Sequence, residues 1–318
     1  MFTELREVWL PIQIASKVSK KPLAVRIDGV DLTLFRGQDG KVGALVDRCP
    51  HRGVKLSLGT VGKDGCLECP FHGWRFATDG ACVDVPLSRL TEERRARLAA
   101  QAVPVREAGG LIWIYTGQNP TSEPPVPEAL LQPGWSRFYY SEVWNTHFTR
   151  AMENMLDFPH VPFIHRTTIG RGLRSAMRPD SEMTMAIEPT ARGAKFIATM
   201  DGKPQGYLDW IRPCGMELSP EFPLGKFRAH IFCVPIDAEH TLMLIAGVRS
   251  FFRYNPLGLL FDRFNRFVLF QDHMCIRDRN KALHCGFSGS AEHALGAFDI
   301  GLFKVNQLAP LNLSLIHI

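Results

Sequence analysis

Two short runs carry the residues best suited to hold a redox metal: Cys49-Pro50-His51 and Cys69-Pro70-Phe71-His72. Each offers one thiolate and one imidazole, and 17 residues lie between His51 and Cys69. Two cysteines on one iron and two histidines on the other make the ligand set of a mixed-ligand [2Fe–2S] cluster. Neutral imidazole brings less negative charge than thiolate, so the potential rises and the cluster can pass electrons toward an oxidant. Zinc is the rival, since it also takes mixed Cys/His sets. Zinc ligands, however, usually pair like with like along the chain, whereas each run here mixes the two. The residues that follow, Arg52-Gly53 and Gly73-Trp74, also suit a cluster. Glycine lets backbone N–H groups approach the sulfurs, and Trp74 can pack beneath.

A second constellation lies in Glu153-Asn154-Met155-Leu156-Asp157-Phe158-Pro159-His160-Val161-Pro162-Phe163-Ile164-His165. Non-haem iron enzymes that activate O₂ hold Fe(II) on two histidines and one carboxylate, with other positions open. His160 and His165 are five apart, which on a regular helix sends them in different directions. Pro159 and Pro162 rule out a regular helix, and the break lets the two imidazoles converge. Two histidines alone are more often core or surface residues; the redox motif upstream shifts the balance toward a metal. A third ligand has to come from far along the chain. Leu260, Phe264, Phe267 and Val268 recur at i, i+4, i+7 and i+8, which predicts a buried helical stripe, and Asp272 falls four residues after Val268 on that stripe. A carboxylate there is costly unless paired or metal-bound. The competitor, Asp262, sits beside Arg263 and Arg266 and reads as a surface charge.

With these residues in view, the first 116 residues resemble the N-terminal domain of the Rieske non-haem iron aromatic ring-hydroxylating oxygenases. Both cluster runs stand as that family has them, and Asn154 to His165 matches its Asn-x-x-Asp-x-x-His-x-x-x-x-His signature at every fixed position. The resemblance implies a terminal oxygenase (alpha) component. The His-Arg-Thr-Thr-Ile-Gly run and the length look closest to the monooxygenase and O-demethylase branch. It implies one [2Fe–2S] Rieske cluster on Cys49, His51, Cys69 and His72, and one mononuclear Fe(II) on His160, His165 and Asp272. Asp157 would bridge to a Rieske histidine of a neighbouring subunit, and Asn154 would sit near the iron without binding it tightly. Electrons would come from an NAD(P)H-dependent reductase, with a ferredoxin between in some systems, because the chain has no G-x-G-x-x-G fingerprint of its own. O₂ and a small hydrophobic organic substrate would be consumed, to hydroxylate or O-demethylate. A head-to-tail homotrimer would set one subunit's cluster beside the next subunit's iron. Two readings from other classes stay open: a Rieske-type electron carrier without oxygenase activity, and a zinc-stabilised interaction protein.

The elements that must position these residues are legible in outline. The expected class is α+β, with an N-terminal antiparallel β Rieske domain and, as the resemblance implies, a catalytic domain of antiparallel sheet wrapped by helices. Asp28-Gly29 and Asp39-Gly40 are hairpin pairs around an alternating Val30, Leu32, Leu34 run. Val42–Val46 leads into the first ligand loop, residues 65–68 into the second, and Leu111–Tyr115 closes the unit. Pro120, Pro124, Pro125, Pro127 and Pro133 predict a stiff connector. A strand is expected over 138–146, a helix over 150–157, several strands over 183–251 and a second helix over 258–273. The domains so defined are 1–116 (Rieske), 117–136 (linker) and 137–273 (catalytic).

Composition sets bounds. The 318 residues, 45% hydrophobic and 22% charged, can bury a sizeable core. A net charge of +5 without a lysine/arginine block interleaved with aromatics gives no nucleic-acid face. No 18-residue apolar run predicts a membrane span, and no leader is visible. Of eight cysteines, two have ligand spacing; Cys66, Cys82, Cys214 and Cys233 read as reduced core residues, which suggests a cytoplasmic protein. Phe163, Ile164, Trp210, Phe232 and Met243 are pocket or core candidates, and the substrate is not readable from them. Finally, Met274-Cys275-Ile276-Arg277-Asp278-Arg279 and the terminal Leu313-Ser314-Leu315-Ile316-His317-Ile318 are translations of the two strands of one transposase adapter. Residues 274–318 are therefore expected to derive from a sequencing artefact joined to a truncated native chain.

Overall fold

The computed structural model describes residues 1–222, 224–253 and 256–284, with side chains for 1–220, 224–253 and 256–273. Residues 274–318, expected to be adapter-derived, lie outside the described residues save for the helical backbone of 274–284.

β1 (Trp9–Ile14) is followed by β2 (Leu23–Ile27), β3 (Val30–Arg36) and β4 (Val42–Val46), an antiparallel sheet in sequential order. Asp28 and Gly29 both take positive φ, 47° and 77°, the pairing a two-residue type I′ hairpin requires. Leu32 and Leu34 are buried as the alternation predicts, but Thr33 and Phe35 are buried too, because both faces of β3 are covered. β5 (Thr60–Val61), β6 (Leu67–Glu68), β7 (Arg75–Phe76) and β8 (Cys82–Asp84) make a second sheet of very short strands. α1 (Glu92–Ala96) starts at a Thr91 cap, whose side chain accepts from the Arg94 N–H. β9 (Val105–Ala108) and β10 (Leu111–Tyr115) then join β1 in the order β1-β10-β9.

The proline-rich segment holds α2 (Glu128–Leu131), and Val126 and Leu130 pack so closely on Gly109 that a Cβ there would lie 2.7 and 3.2 Å from them. β11 (Ser136–Trp144) and α3 (Phe148–Leu156) begin and end within two residues of their expected bounds. α4 (Val161–Ile164) and α5 (Arg171–Ala176) follow, then β12 (Met183–Thr190), β13 (Gly193–Met200), β14 (Lys203–Ile211), β15 (Gly215–Leu218), β16 (Glu221–Phe222), β17 (Gly225–Pro235), β18 (Thr241–Arg249) and α6 (Pro256–His284). The class is α+β with antiparallel sheets, as expected.

The chain divides into two compact units, Met1–Met152 with Ile211–Leu259, and Glu153–Trp210 with Leu260–Ile318. In the first, β11-β18-β17-β15 run as neighbours, and Trp144, Cys233, Val234, Leu244, Ile245 and Val248 are sealed from solvent. At about 1.5–3 kcal/mol for each large apolar side chain removed from water, this sheet is a main source of the unit's stability. In the second, β12 and β13 pair antiparallel from Met183↔Met200 to Thr190↔Gly193, with β14 beside β13.

α6 corrects one expectation. Leu260, Phe264 and Phe267 were expected in a buried stripe, yet they are 64%, 42% and 51% exposed, while Asp272 is buried. At 100° per residue Asp272 lies about 80° around the helix from Phe264, beside the half-buried Phe261, Asn265 and Val268. The inward face of α6 is thus the mixed one, and periodicity alone picked the wrong side.

Candidate functional site

The two cluster loops are near copies of one another. In the first, the Cys49 N–H donates to the Val54 carbonyl at 2.8 Å and the Gly53 N–H to the Cys49 carbonyl at 2.9 Å. In the second, the Cys69 N–H donates to Trp74 at 2.8 Å and the Gly73 N–H to Cys69 at 3.0 Å. Gly53 and Gly73 have φ of 75° and 69°, so each loop turns through a left-handed residue that a side chain would strain. The repeated hydrogen bonds aim a cysteine and, two or three residues on, a histidine from each loop.

Burial then sorts the ligands by type. Cys49 and Cys69 are each 2% exposed and belong to a core with Phe35, Leu45, Leu56, Leu67 and Phe76. His51 and His72 are exposed, with ring centroids 4.7 Å apart. Trp74, at the end of the second loop, stacks on His51 of the first at 4.6 Å and 1° between planes. Burial pushes the Cys49 thiol up, the Cys69 side chain adds to that, and the His51 and Arg52 backbone N–H groups oppose it. A thiol so buried ionises readily only against bound cations. Desolvation, then the nearby His72 and Arg52 charges, hold His51 below its ordinary value, which favours the neutral form that binds metal. The donor set therefore fits a [2Fe–2S] cluster with sulfur ligands inward and imidazoles outward.

The second site is assembled from one break in the chain and one distant helix. α3 stops at Leu156, and the next turn is closed by the Ile164 N–H to His160 at 2.9 Å and the His165 N–H to Val161 at 3.1 Å. His160 and His165 thus bracket α4, with Pro162 in its first turn, and their ring centroids lie 5.3 Å apart. Asp272 of α6 reaches both: its Oδ1 is 3.3 Å from His160 Nε2 and 3.0 Å from His165 Nε2. His165 and Asp272 are 2% and 4% exposed. One ligand atom from each of the three lies within 4.8 Å of the others, the one such group of three or more among the described residues.

Its electrostatics follow from burial. Desolvation works against a charged His160, but the Asp157 and Asp272 carboxylates outweigh it and push the imidazole up to about 9. Desolvation likewise opposes the Asp272 carboxylate, and His160 and His165 more than offset it, leaving Asp272 below its ordinary value. Without a metal, then, the group holds protons that a cation would displace. His160 Nδ1 is 3.7 Å from Asp157 Oδ2, too long for a hydrogen bond, and is buried without a hydrogen-bond partner, as is Asn154 Nδ2. Asp157 itself is half exposed. Two imidazole Nε2 atoms and a carboxylate converging on one point, with orphaned polar atoms beside them, are the donor chemistry of a 2-His-1-carboxylate iron site.

All nine residues singled out in sequence are accounted for: four in the cluster loops, and His160, His165, Asp272, Asp157 and Asn154 along α3, α4 and α6. Two polar residues at the second site went unassigned. Gln271 Oε1 is 3.1 Å from His165 Nδ1, and the Thr168 hydroxyl donates to that same Oε1 at 2.8 Å. Thr168 lies in the His-Arg-Thr-Thr-Ile-Gly run but had no role assigned there, and for Gln271 adjacency to Asp272 was the only signal.

Residues 8–94 match the family model of the Rieske [2Fe–2S] domain. The chain is 29% identical over 255 residues to the 3-chlorobenzoate-3,4-dioxygenase oxygenase subunit of Comamonas testosteroni, covering 75% of this chain and 58% of that one. The chain spans about half the length of the curated relatives it matches. Among solved structures, NdmA of Pseudomonas putida CBB5 superimposes with a TM-score of 0.68 at 26% identity, over 86% of this chain and 81% of that one. Dicamba monooxygenase bound to dicamba gives 0.71 at 22% identity, over 96% and 92%, which establishes a shared fold.

Proposed function

From a chain that carries a Rieske [2Fe–2S] domain and shares sequence and fold with Rieske oxygenase components, we propose the terminal oxygenase of a multicomponent Rieske non-haem iron system. The observation that carries this reading is the convergence of His160 with the buried His165 and Asp272. An electron carrier needs no second metal, and here two imidazoles and a carboxylate converge in the donor set that suits one.

On this reading residues 1–116 are the Rieske domain, 117–136 a linker, 137–273 the catalytic domain, and 274–318 a non-native extension. His160, His165 and Asp272 would hold the iron that activates O₂, and Cys49, His51, Cys69 and His72 the cluster that supplies its electrons. The chain's own residues do the rest. The cluster loops leave His51 and His72 at the surface, where a reductase, or a ferredoxin, reaches them. Asp157 lies beside His160 and stays half exposed, so its free oxygen can accept a hydrogen bond from a Rieske histidine of a neighbouring copy. That pairing calls for a head-to-tail ring, most simply a homotrimer. The substrate is a small hydrophobic organic molecule, hydroxylated or O-demethylated with electrons from NAD(P)H. Chlorobenzoate and dicamba in the names of similar proteins are consistent with an aromatic. The described cysteines are free thiols and no described helix is long and apolar enough to cross a membrane, which supports a cytoplasmic location.

Iron analysis of anaerobically purified protein tests the reading. Three irons per chain, with NADH-dependent O₂ uptake coupled to product in the presence of a surrogate reductase and an aromatic panel, are expected. Two irons per chain with a full cluster spectrum would return the assignment to an electron carrier.

A further inference from the structure

His165 is gripped on both ring nitrogens by consecutive residues of α6: Nδ1 faces Gln271 Oε1 at 3.1 Å and Nε2 faces Asp272 Oδ1 at 3.0 Å. A histidine can offer Nε2 to a metal only if the remaining proton sits on Nδ1, and that N–H needs an acceptor when buried. His165 is 2% exposed, so solvent does not provide one. Gln271 could in principle present either end of its amide. Were its NH₂ group toward Nδ1, the imidazole proton would lie on Nε2, aimed at Asp272, and the metal position would be closed. With Nε2 bare for a metal, the proton lies on Nδ1 and Oε1 is its acceptor; the Thr168 hydroxyl donates to that same Oε1 at 2.8 Å, which makes it a double acceptor. Thr168 is itself placed by the His165 carbonyl: the Thr168 N–H donates to it at 2.9 Å and the hydroxyl lies 3.3 Å from it. His160 has no equivalent, since its Nδ1 lacks a hydrogen-bond partner.

We infer that Gln271, oriented by Thr168, is a positioning residue that fixes the His165 tautomer and thereby sets the affinity of the triad for a divalent metal. The inference rests on the metal reading above and goes beyond it by assigning the work of holding His165 to a neutral amide rather than a carboxylate. A neutral acceptor orients the ring without adding negative charge beside the ion, and adjacency in sequence ties ring orientation to the ligand carboxylate through one helical backbone.

Binding of Co(II) to metal-depleted full-length protein tests it, read by electron paramagnetic resonance with the Rieske cluster oxidised and diamagnetic. Gln271→Met keeps length and apolar volume but removes the acceptor; it should weaken Co(II) by about 10–100-fold and alter the rhombicity of the Co(II) signal. Gln271→Glu restores an acceptor and should recover most of the affinity, which a merely packing role would not explain. Thr168→Val should weaken binding in the same direction by a smaller factor. Gln271→Met binding Co(II) within twofold of wild type, with an unchanged signal, would overturn the inference while leaving the metal site intact. Wild type failing to take up Co(II) would overturn the metal reading itself, and the inference with it.

Discussion

His160 and Asp272 oppose burial with each other, and the consequence is measurable. In metal-free protein His160 is pushed up to about 9 from an ordinary 6.5, with Asp157 and Asp272 overcoming desolvation. A value raised in the folded state contributes stability that is fully present below pH 6.5 and is lost as pH climbs toward 9. Thermal melts of metal-free protein should therefore fall across that window, and Asp272→Asn should flatten the dependence. Metal uptake runs the other way: the cation displaces the proton, so apparent Co(II) affinity should rise by up to tenfold per pH unit until about pH 9. Asp272→Asn should also lower iron from three to two per chain with the visible spectrum of the cluster unchanged. At this scale the sequence pointed to His160, His165 and Asp272, which the structure brings together, because ligand chemistry is carried by residue type and spacing. Gln271 escaped it because a neutral amide has no distinctive spacing; only the 3.1 Å contact to His165 gives it a role.

Among the elements, short turns and α6 behaved differently. Turn residues announce themselves because positive φ selects glycine, and Asp28-Gly29 and the two cluster loops were readable for that reason. What sequence could not tell is how close the next chain segment comes. Gly29 and Gly65 have almost the same φ, 77° and 78°, but a Cβ on Gly29 meets open space while one on Gly65 would lie 2.1 Å from the Gln38 backbone nitrogen. Gly29→Ala should cost about 1 kcal/mol, the left-handed penalty alone. Gly65→Ala should cost more than about 3 kcal/mol, since backbone must move as well, and should loosen the turn that leads to Cys69. Urea midpoints at constant m-value separate the two. α6 shows the opposite failure. Its apolar residues are periodic, but the periodicity marks an exposed face, and Phe267→Ser should change stability of the isolated chain by less than about 1 kcal/mol. A loss above 2 kcal/mol would mean that this face is covered after all.

For the whole molecule, the proposed activity depends on how one copy of the chain meets the next. The residues of the cluster lie in one compact unit and the triad in the other, and Asp157 is half exposed beside His160. If a Rieske histidine of the next copy completes that contact, electrons cross between subunits, and two different damaged chains can repair each other. Cys69→Ser removes the cluster and spares the triad; Asp272→Asn removes the mononuclear site and spares the cluster. Each alone should be inactive. In a head-to-tail trimer formed from both, every mixed ring has one junction where an intact cluster faces an intact triad, whichever chain is in excess. Random assembly from equal amounts makes three rings in four mixed, so the sample should regain about a quarter of wild-type specific activity, one junction in three times three rings in four. Transfer within a chain gives no recovery at any mixing ratio, and so would a monomer. Because each parent keeps one metal site that can be assayed by itself, loss of folding in either chain is seen before mixing, and the recovered activity reads the path of the electron alone.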